Sequence, residues 1–384
     1  MGVSRLAGIP GFNIDRVAAA AEADPDILRM ENLDTDLRPA EAGIAATKEA
    51  IETYDGNSWL PFTGHDDLKE AIAEHIASRG GPRYDGRREI VITSGEGTAM
   101  LDALFCLTDP GDEVILTDPT YAGMLNRVRL VGAVPRLVPL AVDQGHWRLD
   151  VDAMRTAVTD RTRVIFIHNA SFPTGWVVDD SEWDAICALC RERDLWLLYW
   201  GVFEGILFDN RPIRIPSALA GMRDRTVTIG SGIEHRMIGW RVGWVVAPGD
   251  LVNDVSRVEI YNDLVPSGFA QAGLKAALQS LERQSAAATI AEYQQRRDET
   301  MRQLEGLPAV PAAGGWSLLL DVTALGMDCA EFSARLLEHK VAATQMRGWG
   351  GPVADRYVRF VFSRESVERI QLLGERVRAA LGRI

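Results

Sequence analysis

Residues 225–248 read RTVTIGSGIEHRMIGWRVGWVVAP. Two apolar runs, Thr226–Ile229 and Val242–Val246, have the length and β-branched content of strands. A long excursion joins them. Gly230, Gly232, Gly239 and Gly243 punctuate it, where a backbone needs positive φ or close approach. Ser231, Ile233, Glu234, His235 and Arg241 lie in or beside this excursion.

Outward from this stretch, the chain reads as an alternation of strands and helices. Glu89–Thr93, Asp112–Leu116, Arg163–His168 and Leu195–Trp200 are short apolar strand candidates. Asp66–Ser78 has Leu68, Ile72 and Ile76 at helical spacing, and Ala99–Leu107 is a second helix. From Asp250 a mostly helical stretch reaches about Leu304. Trp316–Val322 and Tyr357–Phe362 are strands of a C-terminal part that ends in a helix, Arg364–Leu381. There are no internal repeats.

Bulk properties narrow the class. A chain of 384 residues is long enough for two domains. Its 47% hydrophobic and 25% charged content is that of a soluble globular protein. The net charge of −13 argues against non-specific binding to nucleic acid or anionic lipid. No apolar run has transmembrane length and no secretory signal opens the chain, so a cytoplasmic protein is expected. Cys187 and Cys190 form a CxxC inside the helical pattern Glu182–Arg193. No second ligand pair accompanies them, so they read as helix packing, and no metal is expected.

Motif by motif, nearly the whole chain resembles the class I/II aminotransferases, the fold-type I enzymes that use pyridoxal phosphate (PLP). Gly239, Arg241 and Gly243 match the family's Gly-x-Arg-x-Gly. Eight positions before Arg241, where the Schiff-base lysine stands in the family, is Ile233. Ser94-Gly95-Glu96-Gly97-Thr98 resembles the phosphate turn, an anion site built from backbone N–H groups at a helix start. Glu96 there reads either as a helix-capping carboxylate or as a reactive one. Asp118-Pro119-Thr120-Tyr121 resembles the turn whose aromatic ring stacks on the pyridine. Pro173, Thr174 and Gly175 match the Asn-Pro-x-Asn-Pro-Thr-Gly motif, with Asn169 at its start and Phe172 at its second asparagine. Trp200 and Phe203 stand where the family has the aspartate and tyrosine of Asp-x-x-Tyr. Trp59 stands where a tyrosine reaches the neighbouring subunit's cofactor. Arg359 matches the arginine that grips the substrate carboxylate, a task suited to a planar fork.

The resemblance implies an α/β fold: a large domain with a mostly parallel seven-stranded sheet between helices, plus a smaller α+β domain. The expected division is an arm at 1–45, a large domain at 46–275, a linker helix at 276–304 and a small domain at 305–384. It also implies a homodimer. The lysine, aspartate, asparagine and both tyrosines have become Ile233, Trp200, Phe172, Phe203 and Trp59. This pattern reads either as a plugged cavity or as an apolar pocket reshaped for a new substrate. The expectation from the residues is a cofactor-independent enzyme on an aminotransferase scaffold. It would carry out a cyclisation, condensation or elimination on a small molecule with a carboxylate and an apolar part. Its acid/base candidates are His235, Glu234 and His168. Trp59, Tyr121, Asn169, Phe172, Trp200, Phe203, Ile233 and Arg359 would line the pocket, and Gly95, Glu96, Gly97, Ser231 and Arg241 the former phosphate site. No cofactor is expected on this reading. The alternatives are an enzyme using PLP or pyridoxamine phosphate (PMP) without an internal aldimine, and a non-catalytic ligand-binding or partner subunit.

Overall fold

The computed structural model describes residues 6, 8, 9, 14–59, 61–264, 266–280 and 283–382. In chain order the strands are β1 (Leu28–Met30), β2 (Ile90–Thr93), β3 (Glu113–Asp118), β4 (Val134–Asp143), β5 (His146–Leu149), β6 (Thr162–His168) and β7 (Trp196–Trp200). They continue with β8 (Thr226–Ser231), β9 (Gly243–Val246), β10 (Ala309–Val310), β11 (Ser317–Asp321), β12 (Val341–Gln345) and β13 (Tyr357–Val361).

The larger sheet has the order β2-β9-β8-β7-β6-β3-β4-β5. From β8 to β4 neighbouring strands run parallel, while β9 is antiparallel to both β8 and β2. The sheet has eight strands, one more than the expected seven. His146–Leu149 folds back antiparallel onto β4, and its alternating burial is that of an edge strand rather than a buried one. The central strands are buried on both faces, with every residue of Val164–His168 and Leu197–Trp200 in the core. That is why they read as unbroken apolar runs. The smaller sheet, β1-β12-β13-β11-β10, takes its first strand from the N-terminal segment, which pairs in parallel with β12.

Helix Asp66–Ser78 forms as expected, with Leu68, Ile72 and Ile76 buried. The helix after β2 starts at Glu96, three residues earlier than its apolar pattern suggests, because Gly95 turns the chain into it with φ of 90°. The stretch from Asp250 divides into three helices, Leu251–Asn262, Gly268–Gln279 and Arg283–Gln303. Pro266 lies at the first break, where it cannot continue a helix. The C-terminal helix also divides, into Val367–Ile370 and Leu373–Ala380.

One buried carboxylate holds the loop after β6. Asp179 and Glu182 form a capping box at the start of helix Asp180–Glu192. Glu182 Oε2 accepts from the Asp179 N–H at 2.9 Å and from the Trp176 indole at 3.2 Å. Its Oε1 accepts from the Leu149 N–H at 2.7 Å. Replacing Glu182 by Ala leaves the Leu149 and Trp176 donors buried without acceptors. We expect a loss of about 2–3 kcal/mol in urea unfolding. A loss under half that would show that water replaces the carboxylate.

Candidate functional site

Strands β6, β7 and β8 end side by side. His168 is the register partner of Trp200, and Trp200 that of Ile229. The carboxyl ends of adjacent parallel strands form a natural crevice for ligands. Here those ends are filled by a stack of buried rings. His168 and Trp200 lie face to face, with centroids 3.7 Å apart. Tyr121, just beyond β3, sits 5.0 Å from Trp200, 6.1 Å from Phe172 and 6.0 Å from Trp349. Phe203 packs against His168 at 5.7 Å. Ile233 follows β8 in the short turn Gly232–His235 and is 3% exposed.

Arg359 enters from β13. It is fully buried, and its Nη2 donates to the Glu31 carbonyl at 2.5 Å and to Thr344 Oγ1 at 3.2 Å. Its Nε and Nη1 have no partner. The guanidinium lies 4.5 Å from the Phe172 ring centroid and 4.4 Å from that of Trp349. Burial lowers its pKa to about 9, with Glu31 and Tyr121 acting in the other direction. A buried cation sandwiched between rings, with two free donors, is a receptor for an anion.

The glycine turn forms the other end. Gly95 has φ of 90°, and a side chain there would strike the Arg241 guanidinium. Arg127 flanks Gly97. Its Nε donates to the Gly97 carbonyl at 2.9 Å, and a Cβ on Gly97 would stand 2.7 Å from its Nη2. β9 presses Gly243 against the same turn, where a Cβ would come within 2.5 Å of the Gly95 carbonyl carbon. Two guanidinium groups therefore bracket a turn at a helix start, a setting that suits a phosphate. Glu96 pairs with Arg241 at 3.8 Å, and its other carboxylate oxygen is buried without a partner.

Several expected site residues fall elsewhere. Ser231, Glu234 and His235 line a cavity of about 20 Å3 with His75, Arg79 and Glu204, room for about one water. Arg79 pairs with Glu234 at 2.7 Å and Glu204 at 3.5 Å. Glu234 also accepts from the Gly205 N–H at 2.5 Å. His235 meets His75 edge-on at 5.6 Å, and burial, with Arg79 next, depresses its pKa to about 4. Asn169 is held by the Val178 N–H at 3.0 Å. Trp59 is 68% exposed and stands outside the ring stack. Conversely, the sequence reading missed Arg127 and Trp349. Arg127 sits on a helix thirty residues beyond Gly97, and Trp349 in a loop, so no local spacing ties either to the site.

Comparison with known proteins identifies the family and the fold. The class I and II aminotransferase family matches residues 29–373. The arginine–pyruvate transaminase of Pseudomonas aeruginosa is 29% identical, covering 90% of this chain and 87% of that enzyme. The aspartate aminotransferase of Pyrococcus abyssi is 29% identical over 82% of each chain. Among solved structures, N-succinyldiaminopimelate aminotransferase from Mycobacterium tuberculosis superposes with a TM-score of 0.93 at 29% identity, covering 99% of this chain and all of that one.

These relatives overturn the expectation of a cofactor-independent cyclase or lyase. They carry the names of amino-group-transferring enzymes across most of the chain's length. The substitutions at Ile233, Trp200, Phe172, Phe203 and Trp59 do not remove the chain from that company. Reading them, and the missing lysine above all, as loss of the cofactor is corrected accordingly. No described helix is long and apolar enough to cross a membrane. With that family's pattern running over residues 29–373 and its fold shared throughout, the chain belongs to the class I and II aminotransferase family.

Proposed function

We propose that this protein transfers an amino group to or from a carboxylate substrate with an apolar or aromatic side chain, using PLP or PMP held without a covalent link. The buried Arg359, with two unpaired N–H donors between Phe172 and Trp349, carries the reading. Such an unpaired cation is costly unless a ligand carboxylate completes it.

The residues fit the cofactor in part. The turn bracketed by Arg241 and Arg127 suits its phosphate, with Glu96 as the one opposing charge. A bound ring has to enter the stack of Tyr121 and Trp200, now 5.0 Å apart. Ile233 supplies no amine, so the hold in this reading is non-covalent. When bound, the cofactor supplies the carrier for the amino group. The chain's own part is to seat the substrate carboxylate on Arg359, pack its side chain on Phe172 and Trp349, and exclude water with Phe203 and Ile233. Glu234 and His235 are engaged in the Arg79 cluster, so among the acid/base candidates His168 is the one within the stack. A homodimer is the assembly we infer, with the exposed Trp59 facing its partner.

The test is equilibrium dialysis of PMP against the purified protein, followed by amino transfer between phenylalanine and pyruvate. Saturable, stoichiometric binding that Arg241→Gln weakens at least tenfold is expected, since a charge-assisted phosphate contact contributes about 1.5–3 kcal/mol. Absence of PMP and PLP binding, or binding indifferent to Arg241, would sink the proposal.

A further inference from the structure

Most side chains around the crevice are rings with no polar atom to offer. The polar atoms that remain unpaired in its floor are donors. Trp200 is 1% exposed, and its indole Nε1–H has no acceptor. His168 is 5% exposed, and its Nδ1 accepts the Phe172 N–H at 3.0 Å. A neutral imidazole that accepts at Nδ1 carries its proton at Nε2. That Nε2 is also without a partner. Burial lowers the pKa of His168 well below the ordinary histidine value, which keeps the ring neutral and the tautomer fixed. The other buried indoles with unpaired N–H groups are those of Trp147, Trp183 and Trp316, of which Trp316 packs on Phe203 at 5.0 Å. Among the described residues, only here do two orphan N–H donors stack face to face, with ring centroids 3.7 Å apart. Phe172 links them to a third unpaired donor set: its backbone bonds His168, and its ring lies under Arg359. Phe172, Phe203, Ile233 and Trp349 bring no acceptor. The nearby amide of Asn169 is spent on Val178, and among these residues only the Tyr121 hydroxyl can accept.

We propose that Trp200 and His168 form a donor-only subsite whose occupant presents a hydrogen-bond acceptor bearing no hydrogen. The acceptor is either the oxo oxygen of a 2-oxo acid or an unprotonated ring nitrogen. An ammonium group finds no counter-charge in this floor, so the site prefers an oxo acid to its amino acid. The inference deepens the preceding reading and rests on it for the carboxylate at Arg359.

Isothermal titration of the whole protein tests it with five probes. Phenylpyruvate is compared with 3-phenylpropionate, which lacks the oxo group, and with L-phenylalanine. PMP is compared with its 1-deaza analogue, which lacks the ring nitrogen. If the acceptor belongs to the substrate, phenylpyruvate binds at least tenfold tighter than both other acids. If it belongs to the cofactor ring, PMP binds at least tenfold tighter than its 1-deaza analogue, and more weakly as pH falls and the nitrogen protonates. Trp200→Phe, checked for folding by near-ultraviolet circular dichroism, should erase the operating preference, so that the two members of that pair bind alike. Equal affinities within both pairs overturn the subsite, as does L-phenylalanine binding as tightly as phenylpyruvate where the PMP pair is also equal. If none of the acids binds, the carboxylate reading of Arg359 fails and the PMP pair alone decides the subsite. If no probe binds, both fall.

Discussion

Arg359→Met is expected to weaken binding of phenylpyruvate or 3-phenylpropionate at least a hundredfold while raising the melting temperature of the ligand-free protein. Both effects come from one observation. The guanidinium is fully buried, yet its Nε and Nη1 have no acceptor. Removing one partner of a buried ion pair costs about 3–5 kcal/mol, which is a hundredfold or more in affinity. The free protein, however, bears the desolvation of that cation with no carboxylate bonded to it, the Glu31 side chain acting only through its charge. Nη2 recovers part of this through the Glu31 carbonyl and Thr344, and the rings of Phe172 and Trp349 recover part through their faces. Methionine keeps the unbranched stem and the volume without the charge, and such replacements gain about 1–4 kcal/mol in comparable settings. The measurements are calorimetric binding and thermal melts of the two ligand-free proteins. A variant that melts lower and binds acids as before would make Arg359 a strut between β13, β12 and the N-terminal strand, and would remove the main support for the proposed function.

Arg79→Met is expected to destabilise the fold by about 3–5 kcal/mol at pH 8, the usual cost of removing one partner from a buried ionic group. Arg79 Nη1 lies 2.7 Å from Glu234 and 3.5 Å from Glu204. Burial opposes its charge, but those two carboxylates hold its pKa above the ordinary arginine value. The Glu204 hydroxyl partner is Tyr199, at 3.1 Å. His75 and His235, both kept neutral by burial, complete the surroundings. Without Arg79 two carboxylates share a cavity that holds about one water.

The pH dependence follows from the direction of each shift. Burial raises the Glu204 pKa from 4.5 to about 7. The folded state therefore holds this proton more tightly than the unfolded one, and the stability it contributes is complete below 4.5 and lost as pH rises through 7. His235, lowered from 6.5 to about 4, acts oppositely: its contribution is complete above 6.5 and lost as pH falls through 4. His75 shifts in the same direction as His235. In the variant Glu204 loses its cation, so its pKa rises further and the penalty at pH 8 shrinks towards pH 5. Urea unfolding at the two pH values reads this directly, and adding Glu204→Gln should recover most of the loss at pH 8. A penalty that is the same at both values would mean that Arg79 acts through packing alone. Because Gly205 is tied to Glu234, this cluster also fixes the loop carrying Phe203 to the turn carrying Ile233, so its effect should extend to ligand affinity.

How much of this was legible in the chain depends on the range of the interaction. Residues 225–248 read as two strands and an excursion because strand pattern and glycine punctuation are local properties, and both strands formed close to where the pattern put them. Helix Asp66–Ser78 was legible to the residue, since its apolar spacing and its acidic first turn act within one or two turns. The helix breaks after Asn262 and the edge strand β5 were less so, because apolar periodicity alone does not say where a chain folds back.

The site divides the same way. Sequence by itself determined the fold class and the identities Ile233, Trp200, Phe172 and Arg359, because family motifs are strings of residue types at fixed spacing. It overreached when it turned those identities into the loss of a cofactor, since a residue type carries no information about what its neighbours compensate. Tertiary structure alone decided that Glu234 and His235 belong to a buried ion cluster with Arg79, and that Arg127 stands beside Gly97. It alone decided that His168, Trp200 and Arg359 are buried with unpaired donors. Hydrogen-bond satisfaction and burial arise between segments hundreds of residues apart, such as Arg359 and Glu31. Those quantities set charge state and affinity, and they exist only once the sheets have brought the segments together.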